Sequence, residues 1–169
     1  PGSQNHISGL SGQVRIFNNP ALTSISFNSA QSGAITELIL SSNTVMTSAN
    51  INALTTLSGL FNMISTAMTS VVLPGTTGNF TSINCSQNSS LTSFRANAIT
   101  HAAFNNTTIL LDSCNMNSTA LNNVMADLDS TTSTGGTLGI TLNPGSSGIS
   151  IGPGSSHAGL ASKSWTINN

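Results

Sequence analysis

The chain predicts an α/β solenoid built on a parallel sheet, and three observations predict it. One phrase recurs: Leu22-Thr-Ser-Ile-Ser-Phe27, Met68-Thr-Ser-Val-Val-Leu73, Phe80-Thr-Ser-Ile-Asn-Cys85 and Leu91-Thr-Ser-Phe-Arg-Ala96. Each copy is apolar at its first, fourth and sixth positions, and the last two alternate across one residue as a half-buried strand requires. The copies at 68, 80 and 91 follow one another too closely for crossover helices, and Asn, Gly, Ser and Pro punctuate the gaps as turns. Strands returned by short turns at a near-constant period describe a solenoid.

At 169 residues the chain suits one repeat domain, residues 4–169. Pro1-Gly2-Ser3 reads as the remnant of a removed expression tag, and the domain is expected to be the C-terminal one of a longer protein. Only three Lys and Arg and four Asp and Glu are present, against roughly a quarter of residues in an ordinary domain. Three basic residues cannot form a patch for a phosphate backbone, so nucleic acid is excluded as a partner. No apolar run reaches the length of a membrane span. Disorder is excluded by 37% hydrophobic residues, which are placed periodically.

In chain order, Val14-Arg-Ile16 predicts a first strand, 22–27 a second, and Ile35-Thr-Glu-Leu38-Ile-Leu40 a third. Ile51, Leu54, Leu57 and Leu60 then recur every three residues, with Ser48 available as an N-cap, which predicts a helix running with breaks to about Ala67. A second long unit, Thr108 to Leu128, matches it: Met46, Ser48, Ile51 and Asn52 correspond to Met116, Ser118, Leu121 and Asn122. The match predicts that Ser48 and Ser118 both begin helices, and it overrides the alternative that Met46-Thr-Ser48 is another strand phrase. Leu138-Gly-Ile140-Thr-Leu142 predicts a strand, and Ile149-Ser-Ile151 sits between two Pro-Gly-Ser-Ser segments as another. A short helix follows at 157–163, capped by Ser155 or Ser156, and Trp165-Thr-Ile167 closes the sheet. Cys85 and Cys114 are read as two separately buried thiols.

The spacing of Ile35, Leu38, Leu40 and Asn43, and of Phe80, Ile83, Cys85 and Asn88, resembles the leucine-rich repeat, in which the asparagine amide satisfies turn backbone coil after coil. The short units, with Val71-Val-Leu-Pro74 and Ser90-Leu-Thr-Ser93, look like the surface repeats of Treponema-type bacterial proteins. The closing segment from Pro153 through His157-Ala-Gly-Leu-Ala-Ser-Lys-Ser-Trp165 to Asn169 is similar to the C-terminal cap of repeat proteins encoded by environmental bacteria and their phages. The resemblance implies a leucine-rich-repeat-like solenoid: a curved parallel sheet of eight or nine strands with two or three helices on its convex side.

Catalytic chemistry has little to draw on. Asp127 and Asp129 stand two apart and point in different directions, His6, His101 and His157 are isolated, and no Gly-x-Ser-x-Gly elbow or phosphate loop occurs. No catalytic residue, metal ligand or cofactor is expected, and the chain is read as a non-enzyme. The expectation is a recognition domain: a receptor-binding or distal tail-fibre module of a phage, with a bacterial cell-surface adhesin or a structural virion decoration or fibre module as alternatives. Its partner would be a host cell-surface glycan or protein, its place the virion or bacterial surface, and it could assemble as part of an oligomeric fibre. The residues between the fourth and sixth positions of each phrase, Ser26, Ile39, Val72, Asn84, Arg95 and Leu110, are expected to line up in one outward row. Ser26, Asn84 and Arg95 are its polar members and the candidate ligand-binding residues; the loops at 131–136 and 144–156 are the alternative surface.

Overall fold

Alternating apolar residues draw the chain into twelve short strands within residues 6–7, 11–27 and 34–169, which the computed structural model describes. Seven of them form one parallel sheet: β2 (Gly12–Arg15), β4 (Ile35–Ile39), β6 (Gly59–Asn62), β8 (Phe80–Asn84), β10 (Thr108–Leu110), β11 (Thr137–Gly139) and β12 (Thr166–Asn168). A second face carries a three-stranded sheet of β1 (His6–Ile7), β3 (Ser24–Phe27) and β5 (Ser48–Asn50), followed by a separate pair, β7 (Ser70–Val72) and β9 (Ser93–Arg95). The chain therefore passes through the large sheet and then the second face in each coil, and is a parallel β-solenoid with two helices, α1 (Ser118–Asp129) and α2 (Ser156–Ser162). Residues 1–3 lie outside the described residues.

The core is a stack. Val14, Leu38, Phe61, Ile83, Ile109, Leu138 and Ile167 face inward in register along the large sheet. Ile25, Val71 and Phe94 are buried beneath the second face. On the third side the chain returns through turns that bury Leu73, Ala96, Ile99 and Phe104, and the Phe104 ring stacks on Phe80 at 5.7 Å between centroids.

Corners between the two faces follow one rule. Asn43, Asn88 and Asn143 are buried there, and the amide of each donates to its own coil and to the preceding one: Asn88 Nδ2 bonds Cys85 O at 2.8 Å and Met63 O at 2.7 Å. Asn43 does so with Leu40 and Ile16, and Asn143 with Ile140 and Leu111. Their Oδ1 atoms accept backbone N–H groups of the preceding corner, from Asn19, Thr66 and Met116. After each of these asparagines, and after Asn19, a turn closes on the asparagine carbonyl three residues back, from Leu22, Met46, Leu91 and Ser146. Where Thr66 or Cys114 replaces asparagine the corner is one residue shorter, reaching Met68 and Met116 after a single intervening residue. Met68 N then bonds Thr66 Oγ1, and Cys114 Sγ reaches back to Cys85 O at 3.2 Å, the interaction with the preceding coil that an asparagine amide makes elsewhere. The residue before each corner position (Asn18, Ser42, Ser65, Gln87, Ser113, Leu142) has positive φ, which short polar side chains tolerate and Leu142 does not share chemically.

The two short corners are where the second face breaks. After Met68, β7 fails to pair with β5; after Met116, the strand is replaced by α1, whose N-cap Asn117 accepts from Ala120 N. The helix packs against β9, and Asp127 accepts the edge N–H of Ala96 at 2.9 Å, so α1 covers the last strand of this face. Coil length rises accordingly, from 24 residues between Asn19 and Asn43 and 22 between Thr66 and Asn88 to 29 between Asp112 and Thr141.

Several expectations are corrected. The helix expected from Ser48 to about Ala67 is absent: Ser48 opens β5 and pairs with Ser24, and β6 follows. Ile51, Leu54 and Leu57 are buried at every third position because two tandem turns, Leu54 N to Ile51 O and Leu57 N to Leu54 O, repeat in threes without winding a helix. Met46 and Met116 both close a corner and are fully buried, but only Ser118 begins a helix. Among the described residues the main sheet has seven strands rather than eight or nine, and strands rather than convex helices build most of the second face, so the architecture is that of a solenoid but not specifically of leucine-rich repeats. Residues 149–151 form no strand; a 3-10 turn at Ser146–Gly148 precedes them. Ser155 does cap α2, and Trp165 is buried over Gly136, where a Cβ atom would fall 2.5 Å from the indole ring.

Leu73→Ala and Ile83→Ala remove fully buried side chains and are expected to cost about 2–5 kcal/mol each in chemical denaturation, whereas Thr81→Ala, on the exposed side of β8, leaves the midpoint nearly unchanged. Asn88→Ala removes four hydrogen bonds and strands buried carbonyls of two coils. It is expected to destabilise by about 3 kcal/mol or more, and equal stability to the parent would show that the corner amide is dispensable.

Candidate functional site

The expected outward row is divided between faces. Ile39, Asn84 and Leu110 share a row on the large sheet, in register with Arg15, Asn62, Gly139 and Asn168. Ser26 lies on β3 opposite Asn50, and Val72 and Arg95 face each other on β7 and β9. The three candidate residues thus stand on three different sheets, and Asn84 is not beside Arg95.

Each is also engaged within the fold or set among small neighbours. Asn84 Oδ1 accepts from Ser86 N at 3.0 Å and Ser86 Oγ at 2.7 Å, closing the turn after β8. Arg95 meets Asp127 in a two-pronged pair, Nε to Oδ2 at 2.7 Å and Nη2 to Oδ1 at 2.9 Å, and the hydrogen bond and charge of Asp127 raise the guanidinium pKa further. Asp127 is buried, so the arginine neutralises a carboxylate whose other task is to hold Ala96 N. Ser26 is half-buried in its strand.

The remaining charges are tied in the same way. Glu37 pairs with Arg15, Asp129 with Lys163 at 3.1 Å, and Lys163 Nζ also donates to Thr131 O at 3.0 Å and to Asp129 O. Asp112 Oδ1 accepts from Thr141 N and Oγ1, both at 2.7 Å. All seven charged side chains are therefore bonded to another part of the chain. The loop at 131–136 is similarly built in: Thr131 and Ser133 are buried, and Ser133 Oγ accepts from Phe104 N while its carbonyl receives Trp165 Nε1. Both thiols are buried; burial pushes Cys85 strongly up and Cys114 to about 11, so neither is a nucleophile near neutral pH. Among the described residues no group of three or more His, Cys, Asp or Glu is placed to hold a metal ion, and no helix is long and apolar enough to cross a membrane.

What the fold does leave open is uncharged. Thr23, Thr47, Thr69 and Thr92 stand exposed at the same point of four successive coils, each followed by a serine on the second face. On the large sheet Ser82, Thr108, Thr137 and Thr166 form an in-register row. Between β5 and β7, where the second face is interrupted, lies a groove of about 330 Å³ lined by Thr47, Ser48, Asn50, Met68, Thr69 and Ser70, with Ala49 and Asn52. No backbone hydrogen bond joins Ser48–Asn50 to Ser70–Val72. The groove was hidden in the sequence because the Thr-Ser phrases on either side of it look identical; the missing residue between Thr66 and Met68 was the available signal.

Comparison with protein-family models, with characterised proteins and with solved structures yields no match for this chain.

Asp127→Ala is expected to cost about 2–3 kcal/mol, because Ala96 N loses its buried acceptor. Arg95→Ala is also destabilising, and the double variant Arg95→Ala with Asp127→Ala should be less than additive in a denaturation cycle, as coupled partners are. Strict additivity would show that the pair does not brace the fold.

Proposed function

We propose that the domain is a non-enzymatic recognition module that reads a host cell surface, as the receptor-binding or distal part of a phage tail fibre. The observation that supports this most directly is the division of polar groups: every charge is spent on internal bonds, and hydroxyl and amide side chains predominate on the outward strand faces, beside the apolar Ile39, Val72 and Leu110. Hydrolytic or proton-transfer chemistry needs a carboxylate, imidazole or thiol held ready for a substrate; the four carboxylates and two thiols are otherwise engaged or buried, and among the described imidazoles that of His101 has its Nε2 buried. A stacked core held coil to coil gives a rigid platform, which limits the entropy lost when a partner docks. The phage placement rests on the resemblance of the segment 153–169 to caps of phage-encoded repeat proteins. The Thr-Ser units, which look like bacterial surface repeats and in the fold present hydroxyls at matching points of four coils, favour a bacterial adhesin as the second reading.

A fluorescently labelled domain incubated with a panel of bacterial strains is expected to bind a subset of them, with binding that persists as salt is raised because few exposed charges contribute. Absence of binding to every strain and to their isolated surface polysaccharides would overturn recognition in favour of a structural fibre module.

A further inference from the structure

We propose that the groove between β5 and β7 is a subsite for one ring of a neutral saccharide; the inference rests on the recognition reading and gives it a location. The argument starts from the corner at Thr66. One residue fewer between Thr66 and Met68 accompanies a break in the second face, so that β5 pairs on one side with β3 and has no strand partner on the other. Two strand edges in a continuous solenoid would satisfy each other's N–H and C=O groups; here β5 and β7 diverge and lie in separate sheets, with no backbone bond between them. A ligand entering the gap meets backbone donors and acceptors as well as side chains.

The side chains that line it select by chemistry. The hydroxyls of Thr47, Ser48, Thr69 and Ser70 line the groove, and each can donate and accept. Asn50 uses its Oδ1 to receive Asn52 N at 3.3 Å, which leaves its amide N–H groups pointing elsewhere as donors. Ala49, half-buried above the buried Met68, supplies the small apolar contact that the C–H face of a sugar ring covers. No charged residue lines the groove, which disfavours phosphorylated, sulfated or acidic ligands. It also lacks the aromatic or arginine anchor of a protein hot spot. The depression is shallow and open to solvent, which suits one ring laid against the surface rather than an enclosed ligand. Ser93 on β9 supplies the internal comparison, since it occupies the equivalent place in the phrase and pairs with Ser70 but does not line the groove.

The test uses the intact isotope-labelled chain titrated by NMR with glucose, galactose, mannose, rhamnose and N-acetylglucosamine to millimolar concentration. At least one is expected to shift the amides of residues 47–52 and 68–70, with Asn50→Ala and Ser70→Ala each weakening it about tenfold and Ser93→Ala leaving it unchanged. The same two variants are expected to lose cell binding in the strain panel. If cells are bound but no sugar shifts the groove and both variants bind as the parent does, the groove proposal is overturned and recognition survives on another face. If cell binding is lost in the variants while no sugar perturbs these amides, the groove reads a protein and the saccharide assignment is wrong. Failure of every sugar and every strain overturns both readings together.

Discussion

A primary amide buried at a corner has two N–H groups and an acceptor oxygen to satisfy, and in this chain each such amide spans two coils. Asn43, Asn88 and Asn143 bond a carbonyl of their own coil, a carbonyl of the coil before, and an N–H of that coil's corner. The same residue that turns the chain therefore sets the stacking distance. Because Asn43, Asn88 and Asn143 fall on alternate coils, the intervening corners at Thr66 and Cys114 need no long amide of their own; Thr66 N and Met116 N are gripped by the asparagine of the next coil. This relaxation is what allows Thr66 and Cys114 to sit in tighter corners, and the departures of the second face from a continuous sheet follow those two sites.

Few charges do structural duty at places where the repeat is weakest. Two of the three ion pairs involve α1, which replaces a strand and must be fastened to what remains: Asp127 to β9, Asp129 to the last residues of the α2 region. The third joins neighbouring strands β2 and β4 near the N-terminal end of the large sheet. Such pairs add little when exposed, but Asp127 is buried and carries a backbone N–H as well, so its pair with Arg95 is part of how the final strand of the second face is closed off.

Repetition was legible in the sequence and its geometry only partly so. The Leu-x-Leu-x-x-Asn spacing led directly to Asn43 and Asn88, and the phrase Thr-Ser-apolar placed β3, β7 and β9, because alternation and a buried amide leave the same trace in any coil. A period of three misled at Ile51, Leu54 and Leu57, since tandem turns closed three residues apart bury the same positions as one helical stripe. The outward row failed for a different reason. Phrases at 80 and at 91 look alike in sequence but enter different faces, so Asn84 and Arg95, near in the phrase, are separated in space. Arg95 has its partner 32 residues downstream, a distance at which no local pattern reports.

The commitment of every charge to an internal bond has a kinetic side. Proteins that find their targets quickly do so by casting an electrostatic field across the last few nanometres of approach, and this one has almost none to cast. Encounter by unaided diffusion proceeds at roughly 10⁵–10⁶ M⁻¹s⁻¹ whatever the ionic strength. In the recognition role proposed above, such a module would gain hold through the number of copies presented together and the time each contact lasts, and would arrive at a target equally well in dilute and in saline water.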